Sequence, residues 1–173
     1  MTRPAPGGRL RGDDGATVVE TSIAIFFMLL MFLGFFDLGL AEFKQSQLSS
    51  ASRDGARVAL INGNWAGTRP DVGTYAGGAC PASPAGFTKV CTAVLARLAG
   101  SSATGITVRC YERMTAVAKN CVLLSPSNPG GMNPGIDSIE VTVTYTYVPV
   151  TFVGKALLGG SKAYTTSSRM VIQ

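Results

Sequence analysis

The sequence contains no histidine and few charged residues, and both shortages restrict what the protein can do. Without histidine it lacks the commonest general base and metal ligand, and it cannot form a Ser-His-Asp or Cys-His catalytic arrangement. The 10 acidic residues occur singly or as the Asp13–Asp14 doublet, in no recognisable catalytic pairing. We therefore expect a protein that is not an enzyme and that binds neither a metal nor a cofactor.

Basic residues outnumber acidic ones, 15 to 10, but they are scattered and form no cluster. A nucleic-acid-binding surface is expected to show such a cluster, so we expect no nucleic-acid partner. Only 14% of the residues are charged and 46% are hydrophobic, which is low in charge for a soluble domain. This balance predicts contact with lipid or with another protein, and 173 residues suffice for one folded unit plus an anchor.

The four cysteines are Cys80, Cys91, Cys110 and Cys121. They form no CxxC pair of the kind that structural zinc sites and thiol oxidoreductases use. An even number in an exported chain indicates two disulfides, for which three pairings are possible. The sequence cannot separate these pairings; we favour Cys80 with Cys91 and Cys110 with Cys121, two pairs that each have ten residues between them. Four buried thiols in a cytosolic protein are the alternative, since disulfides require an oxidising compartment.

The N-terminal region changes abruptly from polar to apolar. Residues 1–15 are rich in glycine, proline and arginine and read as a flexible leader, whereas Thr21–Phe36 carries no charge. A membrane-spanning helix needs about 20 apolar residues, so Ala16–Ala41 can cross a bilayer if Glu20 and Asp37 lie near its two ends. We expect Asp37 to extend towards the outer membrane surface, with pairing across helices in an assembly as the alternative.

The arginines before this segment favour a cytoplasmic N-terminus. Arg3, Arg9 and Arg11 precede it, whereas Lys44 and Arg53 follow it. The C-terminal part would then lie outside the cytoplasm, in agreement with the disulfides. We therefore expect a single-pass membrane protein.

The rest of the chain predicts a mixed α and β fold. The helix continues through Glu42–Ile61, where small residues recur every three or four positions, and stops at Asn62-Gly63-Asn64. Glycines and prolines predict a loop over Gly67–Gly86, and Phe87–Leu98 predicts a short amphipathic helix.

Alternating residues predict an antiparallel sheet. Its clearest strand is Ile139–Tyr147, and the others are expected at Ile106–Cys110, Cys121–Leu124 and Lys162–Ile172. Residues 125–135 predict a long turn. A second, apolar turn is a weak candidate for contact with a partner or the membrane; it contains Phe152, Val153, Leu157 and Leu158. The predicted fold class is thus α+β, with a long N-terminal transmembrane helix that continues into a small antiparallel sheet covered by a short helix.

Three segments resemble a known family when taken in order along the chain. GATVVE at Gly15–Glu20 follows the basic leader and resembles the cleavage signal of type IV prepilins. The acidic and glycine break at Phe36–Gly39 and the segment ASRDGAR at Ala51–Arg57 are similar to those of the TadE-like minor pilins of tight-adherence (Flp) pilus systems. The VTVTY strand and the apolar Gly-Gly turn after it also look similar.

The resemblance implies processing and assembly. A prepilin peptidase would cut between Gly15 and Ala16, and Glu20 would then compensate the freed amino group of a neighbouring subunit. The implied partners are membrane lipid, the peptidase and other pilin or pilus-assembly subunits, and a cell-surface pilus is one destination. One position departs from the family, which usually has an aromatic residue where this chain has Thr21. A carboxylate facing the helix dipole is the structural alternative for Glu20.

The expected organisation is a leader at residues 1–15, a transmembrane and projecting helix at 16–62, and an extracytoplasmic α+β domain at 63–173. A minor pilin of this kind could enter the fibre, cap it or remain in the membrane as a platform. An alternative function is a secreted or membrane-anchored binding domain, whose conventional signal peptide would be cleaved after Ala41.

Overall fold

A computed structural model of the protein describes residues 13–61, 71–83, 85–98, 103–119, 121 and 131–172. Several predicted features lie outside these residues, among them most of the leader, the helix stop at Asn62–Asn64 and the predicted strand after Cys121.

The longest element is a single helix, α1 (Asp13–Ile61), of 49 residues. At 1.5 Å per residue it is about 74 Å long. The predicted continuity from the apolar run into the following small-residue segment is confirmed. Its first half is exposed, whereas Leu48, Ala51, Ala56 and Ala59 are buried in the core. One helix therefore passes through two different environments.

Four antiparallel strands form one sheet in the order in which they occur along the chain. They are β1 (Asp71–Tyr75), β2 (Gly105–Tyr111), β3 (Ser138–Tyr147) and β4 (Lys162–Val171). The described residues contain two further helices, α2 (Ala85–Arg97) between β1 and β2 and α3 (Phe152–Leu158) between β3 and β4. The predicted α+β class is confirmed.

The core lies between the sheet and the helices α1 and α2. Ile139, Val141 and Val143 of β3 point into it, and Phe87 and Val90 of α2 belong to the same buried cluster. The intervening threonines of β3 are only half-buried on the opposite face of the sheet. This alternation matches the predicted pattern of one packed and one wet face.

Two elements differ from the sequence-based expectation. β1 lies in the stretch that glycines and prolines predict as loop, and it is a short edge strand whose pairing with β2 shifts register between Asp71 and Gly73. α3 occupies the predicted apolar turn. It begins because the Thr151 hydroxyl accepts a hydrogen bond from the Gly154 N–H at 3.0 Å, and it ends at Gly159 with φ of 75°.

The structure joins Cys80 to Cys91 and Cys110 to Cys121, which is the preferred one of the three possible pairings. The first disulfide ties the segment after β1 to α2, and the second ties the end of β2 to the chain that follows it. Each closes a short loop and stabilises the fold by about 3 kcal/mol in the chain-entropy picture. No free cysteine remains among the described residues.

A buried carboxylate holds the chain at the start of β3. Asp137 accepts hydrogen bonds from the backbone N–H of Arg113 at 3.0 Å and of Asn133 at 2.7 Å, and it forms an ion pair with Lys119 at 2.7 Å. Burial alone would raise the pKa of Asp137, but these donors outweigh it and hold the pKa below its ordinary value.

Gly55 is the point of closest packing between α1 and the rest of the domain. A Cβ atom there would lie 2.7 Å from Val94 Cγ2 and 3.1 Å from Val141 Cγ1. Valine side chains are stiff because they branch at Cβ, so neither neighbour can rotate away at low cost. The glycine of the ASRDGAR segment thus lets α1 pack closely on both α2 and β3.

We predict that Gly55→Ala lowers the free energy of unfolding by about 1–3 kcal/mol through overpacking. Gly39→Ala is the matched control, since Gly39 lies in the same helix and a Cβ there meets nothing within 4 Å. It should raise stability by about 0.5–1 kcal/mol, because alanine favours helix. Denaturant unfolding of the full chain in detergent, followed by circular dichroism, measures both. Equal midpoints for the two variants would contradict the packing role of Gly55.

Candidate functional site

The first half of α1 presents a continuous apolar surface. Its exposed side chains include Val18, Ile23, Ile25, Phe26, Phe27, Met28, Leu29, Met31, Phe32, Phe35, Phe36 and Leu38. Within the described residues, α1 is the one helix long and apolar enough to cross a membrane. A surface of this size is costly in water, so it must be covered by lipid or protein.

The residues of the predicted cleavage signal lie at the start of this surface and do not pack against the sheet. Gly15, Ala16 and Glu20 are all exposed, and a Cβ at Gly15 would meet nothing within 4 Å. Glu20 forms no ion pair with another described residue. The hydroxyl of Thr21 donates to the backbone oxygen of Thr17 at 2.7 Å, so this polar group is already satisfied within the helix.

At the other end of the apolar surface, Asp37 is buried, with an exposed fraction of 1%. Its Oδ1 accepts hydrogen bonds from the Val150 N–H at 3.1 Å and the Tyr147 hydroxyl at 3.3 Å. Its Oδ2 accepts from the Thr151 N–H at 3.1 Å and from the Thr151 hydroxyl. We call this set of residues, Asp37 with Tyr147, Val150 and Thr151, the Asp37 clamp.

The clamp uses neutral donors only. No lysine or arginine in the described part of the chain forms an ion pair with Asp37. The carboxylate is instead satisfied by the segment between β3 and α3, which folds over the helix. The prediction that Asp37 extends to the outer membrane surface is wrong, because its own chain supplies the hydrogen bonds that water would have supplied.

Tyr147 is the link between the clamp and the sheet. It is the last residue of β3, and its hydroxyl also donates to the backbone oxygen of Asp37 at 3.1 Å. Burial, together with the charge of Asp37, raises the pKa of Tyr147 above its ordinary value. The phenol therefore stays protonated and remains a donor across the physiological pH range.

Gly154 lets the clamp close, and Gly34 lies next to α3 at ordinary contact distance. A Cβ at Gly154 would lie 2.7 Å from Asp37 Cγ and 2.9 Å from Pro149 Cβ, so a larger residue cannot fit. Further along α1, a Cβ at Gly34 would lie 3.8 Å from Val153 Cγ1. α3 is thereby held against the apolar part of α1.

The clamp has the chemistry of a structural joint. The described residues contain no group of three or more His, Cys, Asp or Glu side chains that could hold a metal ion. Sequence reasoning missed the partners of Asp37, and the only available signal was the unexplained acidic residue in an apolar run.

We predict that Asp37→Ala lowers the free energy of unfolding by about 3 kcal/mol or more, because it leaves several buried donors without an acceptor. Asp37→Asn has nearly the same shape and keeps one acceptor oxygen, so it should lower the free energy of unfolding by less than Asp37→Ala. A double-mutant cycle with Thr151→Val, measured by denaturant unfolding, should show a coupling of about 0.5–3 kcal/mol. Additive effects of the two substitutions would show that the hydrogen bond between these side chains contributes nothing.

The family model described as TadE-like protein matches residues 15–57 of this chain. That segment contains the exposed apolar surface, Glu20, Asp37 and the closely packed Gly55. No curated protein and no solved structure matches the chain. Over these residues the chain is similar to TadE-like proteins, and the match supports a TadE-like protein of the tight-adherence (Flp) pilus system.

Proposed function

We propose that the protein is a minor pilin that is anchored in the membrane by the first half of α1, is cut by a prepilin peptidase between Gly15 and Ala16, and takes part in assembly of a tight-adherence pilus. Its N-terminus would face the cytoplasm and its sheet the outside. The disulfides support this orientation, because they form in oxidising compartments.

The observation that carries the proposal is the difference between the two carboxylates at the ends of the apolar surface. Asp37 is satisfied within its own chain, whereas Glu20 is exposed and has no ion-pair partner among the described residues. A charge beside lipid is costly unless it is paired. A partner from another molecule would meet this need.

The freed amino group of a neighbouring subunit is a suitable partner for Glu20. After the cut, Ala16 would carry a positive charge, and it lies about 6 Å along the helix from Glu20 in the same chain. Two neighbouring helices could therefore place the amino group of one beside the carboxylate of the other. In a medium of low dielectric constant, removing one member of such a pair costs about 3–5 kcal/mol.

The position of the proposed cut is accessible. Gly15 and Ala16 lie in the first turns of α1, and both are exposed. The first N–H groups of a helix have no partner within the helix, so its first turn is the cheapest part to unwind. A peptidase could therefore extend this segment without disturbing the core.

A conventional signal peptide cut after Ala41 fits the structure less well. Ala41 is buried and lies inside α1. Cleavage there would remove Asp37 and leave its donors in Tyr147, Val150 and Thr151 without their acceptor. The fold therefore favours an anchor that is retained.

The test is the mature N-terminus and the location of the protein in its native host, by intact mass and peptide sequencing. The protein should begin at Ala16, and Gly15→Val should keep the leader, because valine replaces the glycine after which the proposed cut is made. A native chain beginning at Glu42 would contradict the proposal.

The role of Glu20 is tested in the same cells with two variants. Glu20→Gln should be processed and inserted like the native protein but should be depleted from the assembled pilus fraction, because it cannot pair with an amino group. Glu20→Asp, which keeps the charge, should retain part of the assembly. Equal amounts of Glu20→Gln and native protein in that fraction would exclude the proposed ion pair.

A further inference from the structure

We infer that α3 and the segment before it form a second membrane contact, which inserts into the leaflet nearest to the sheet. This inference rests on α1 spanning the membrane, which is part of the proposed function. The contact surface consists of the exposed side chains of Val148, Val150, Phe152 and Leu157, and we call it the α3 surface.

The depth of the α3 surface follows from its attachment to α1. Val153 and Leu157 line an apolar groove together with Leu30, Met31, Gly34, Phe35 and Leu38 of α1. A hydrocarbon layer about 30 Å thick that begins at Val18 would end near Leu38. Gly34 would then lie about 6 Å below that boundary, and Leu30 about 12 Å below it. α3 lies beside these residues, so it must enter the same layer.

The chemistry of the α3 surface suits lipid. Phe152 is 67% exposed and Leu157 is 71% exposed. Between Val148 and Gly160 the sequence contains no acidic residue, and the single charged residue is Lys155, which is exposed. A short helix with apolar side chains and a cationic one is suited to the boundary between acyl chains and anionic headgroups. Lysine can also extend its amino group to the headgroups from an apolar site.

The Asp37 clamp keeps α3 at this depth. Its hydrogen bonds to Val150 and Thr151 hold the segment that leads into α3, and Gly154 packs directly on the carboxylate. The Asp37 carboxylate would otherwise resist insertion into lipid. In the clamp it accepts hydrogen bonds from donors of its own chain, so it needs none from water. Apolar area is therefore continuous from α1 to α3, and lipid can cover both without a gap.

The test uses full-length protein in vesicles of phosphatidylethanolamine and phosphatidylglycerol at a three-to-one ratio, with a single tryptophan as probe. The native tryptophan is first replaced by Trp65→Phe. The probe is then introduced as Phe152→Trp or Leu157→Trp, and lipids brominated in the upper or in the lower acyl chain serve as quenchers.

Two reference positions accompany the probes. Met28→Trp reports on the span, because Met28 is 71% exposed in the middle of the apolar run. Val117→Trp is the matched control. Val117 is an exposed apolar residue that follows the end of β2. That end of β2 pairs with the start of β3, and the start of β3 is about 30 Å from Tyr147 at its other end, so Val117 lies far from α3.

We expect the probes at 152 and 157 to shift their emission to shorter wavelength and to lose roughly half of their fluorescence, as for side chains a few ångströms inside the boundary. The probe at 117 should not change. If the probe at residue 28 is quenched while those at 152 and 157 behave like the one at 117, α1 spans the membrane but the α3 surface does not enter it, and the inference is overturned. If 28 is not quenched, the membrane span fails and the inference with it. A wavelength shift at 152 without quenching would show that a second copy covers the α3 surface, which also overturns it.

Discussion

Asp37 is buried at the place where the exposed apolar part of α1 meets the folded domain, and its hydrogen bonds hold the two together. A carboxylate inside an apolar run is costly unless its oxygens are satisfied. Here the end of β3 and the start of α3 satisfy them. The same contacts position α3 and restrict residue 154 to glycine, and the charge of Asp37 adds to burial in raising the pKa of Tyr147. The arrangement of the domain around α1 therefore depends largely on this one side chain.

Asp37 and Asp137 are both buried carboxylates of the described residues, near opposite ends of β3, and they offset the cost of burying a charge in different ways. Asp137 lies away from α3 and forms an ion pair with Lys119, whereas Asp37 uses only neutral donors. A lysine beside Asp37 would bring a second charge to the end of the apolar surface of α1, and such a charge would be costly if that surface lies in a membrane. Neutral donors from the backbone and hydroxyl groups avoid that cost, which is consistent with a joint built at a membrane surface.

Much of this architecture could be predicted from local patterns. The length of α1, the alternation in β3 and the apolar face of α2 are encoded in neighbouring residues, and a periodic pattern reveals them. The clamp could not be predicted this way, because its partners lie more than a hundred residues from Asp37 along the chain. α3 was missed because a short apolar helix and an apolar turn have the same composition, and β1 because a short edge strand containing Gly73 has little alternation.

The continuity of α1, from its exposed apolar half into the core, underlies both the proposed anchor and the proposed α3 contact. It is tested most directly by the distance between spin labels on introduced cysteines at Ile25 and Arg57, both exposed, in the full chain in lipid nanodiscs. Pulsed electron resonance should give a single narrow distribution near 48 Å, the rise of an unbroken helix between these positions, about 1.5 Å per residue. A shorter or broad distribution would place a hinge between the anchor and the domain and would contradict the account.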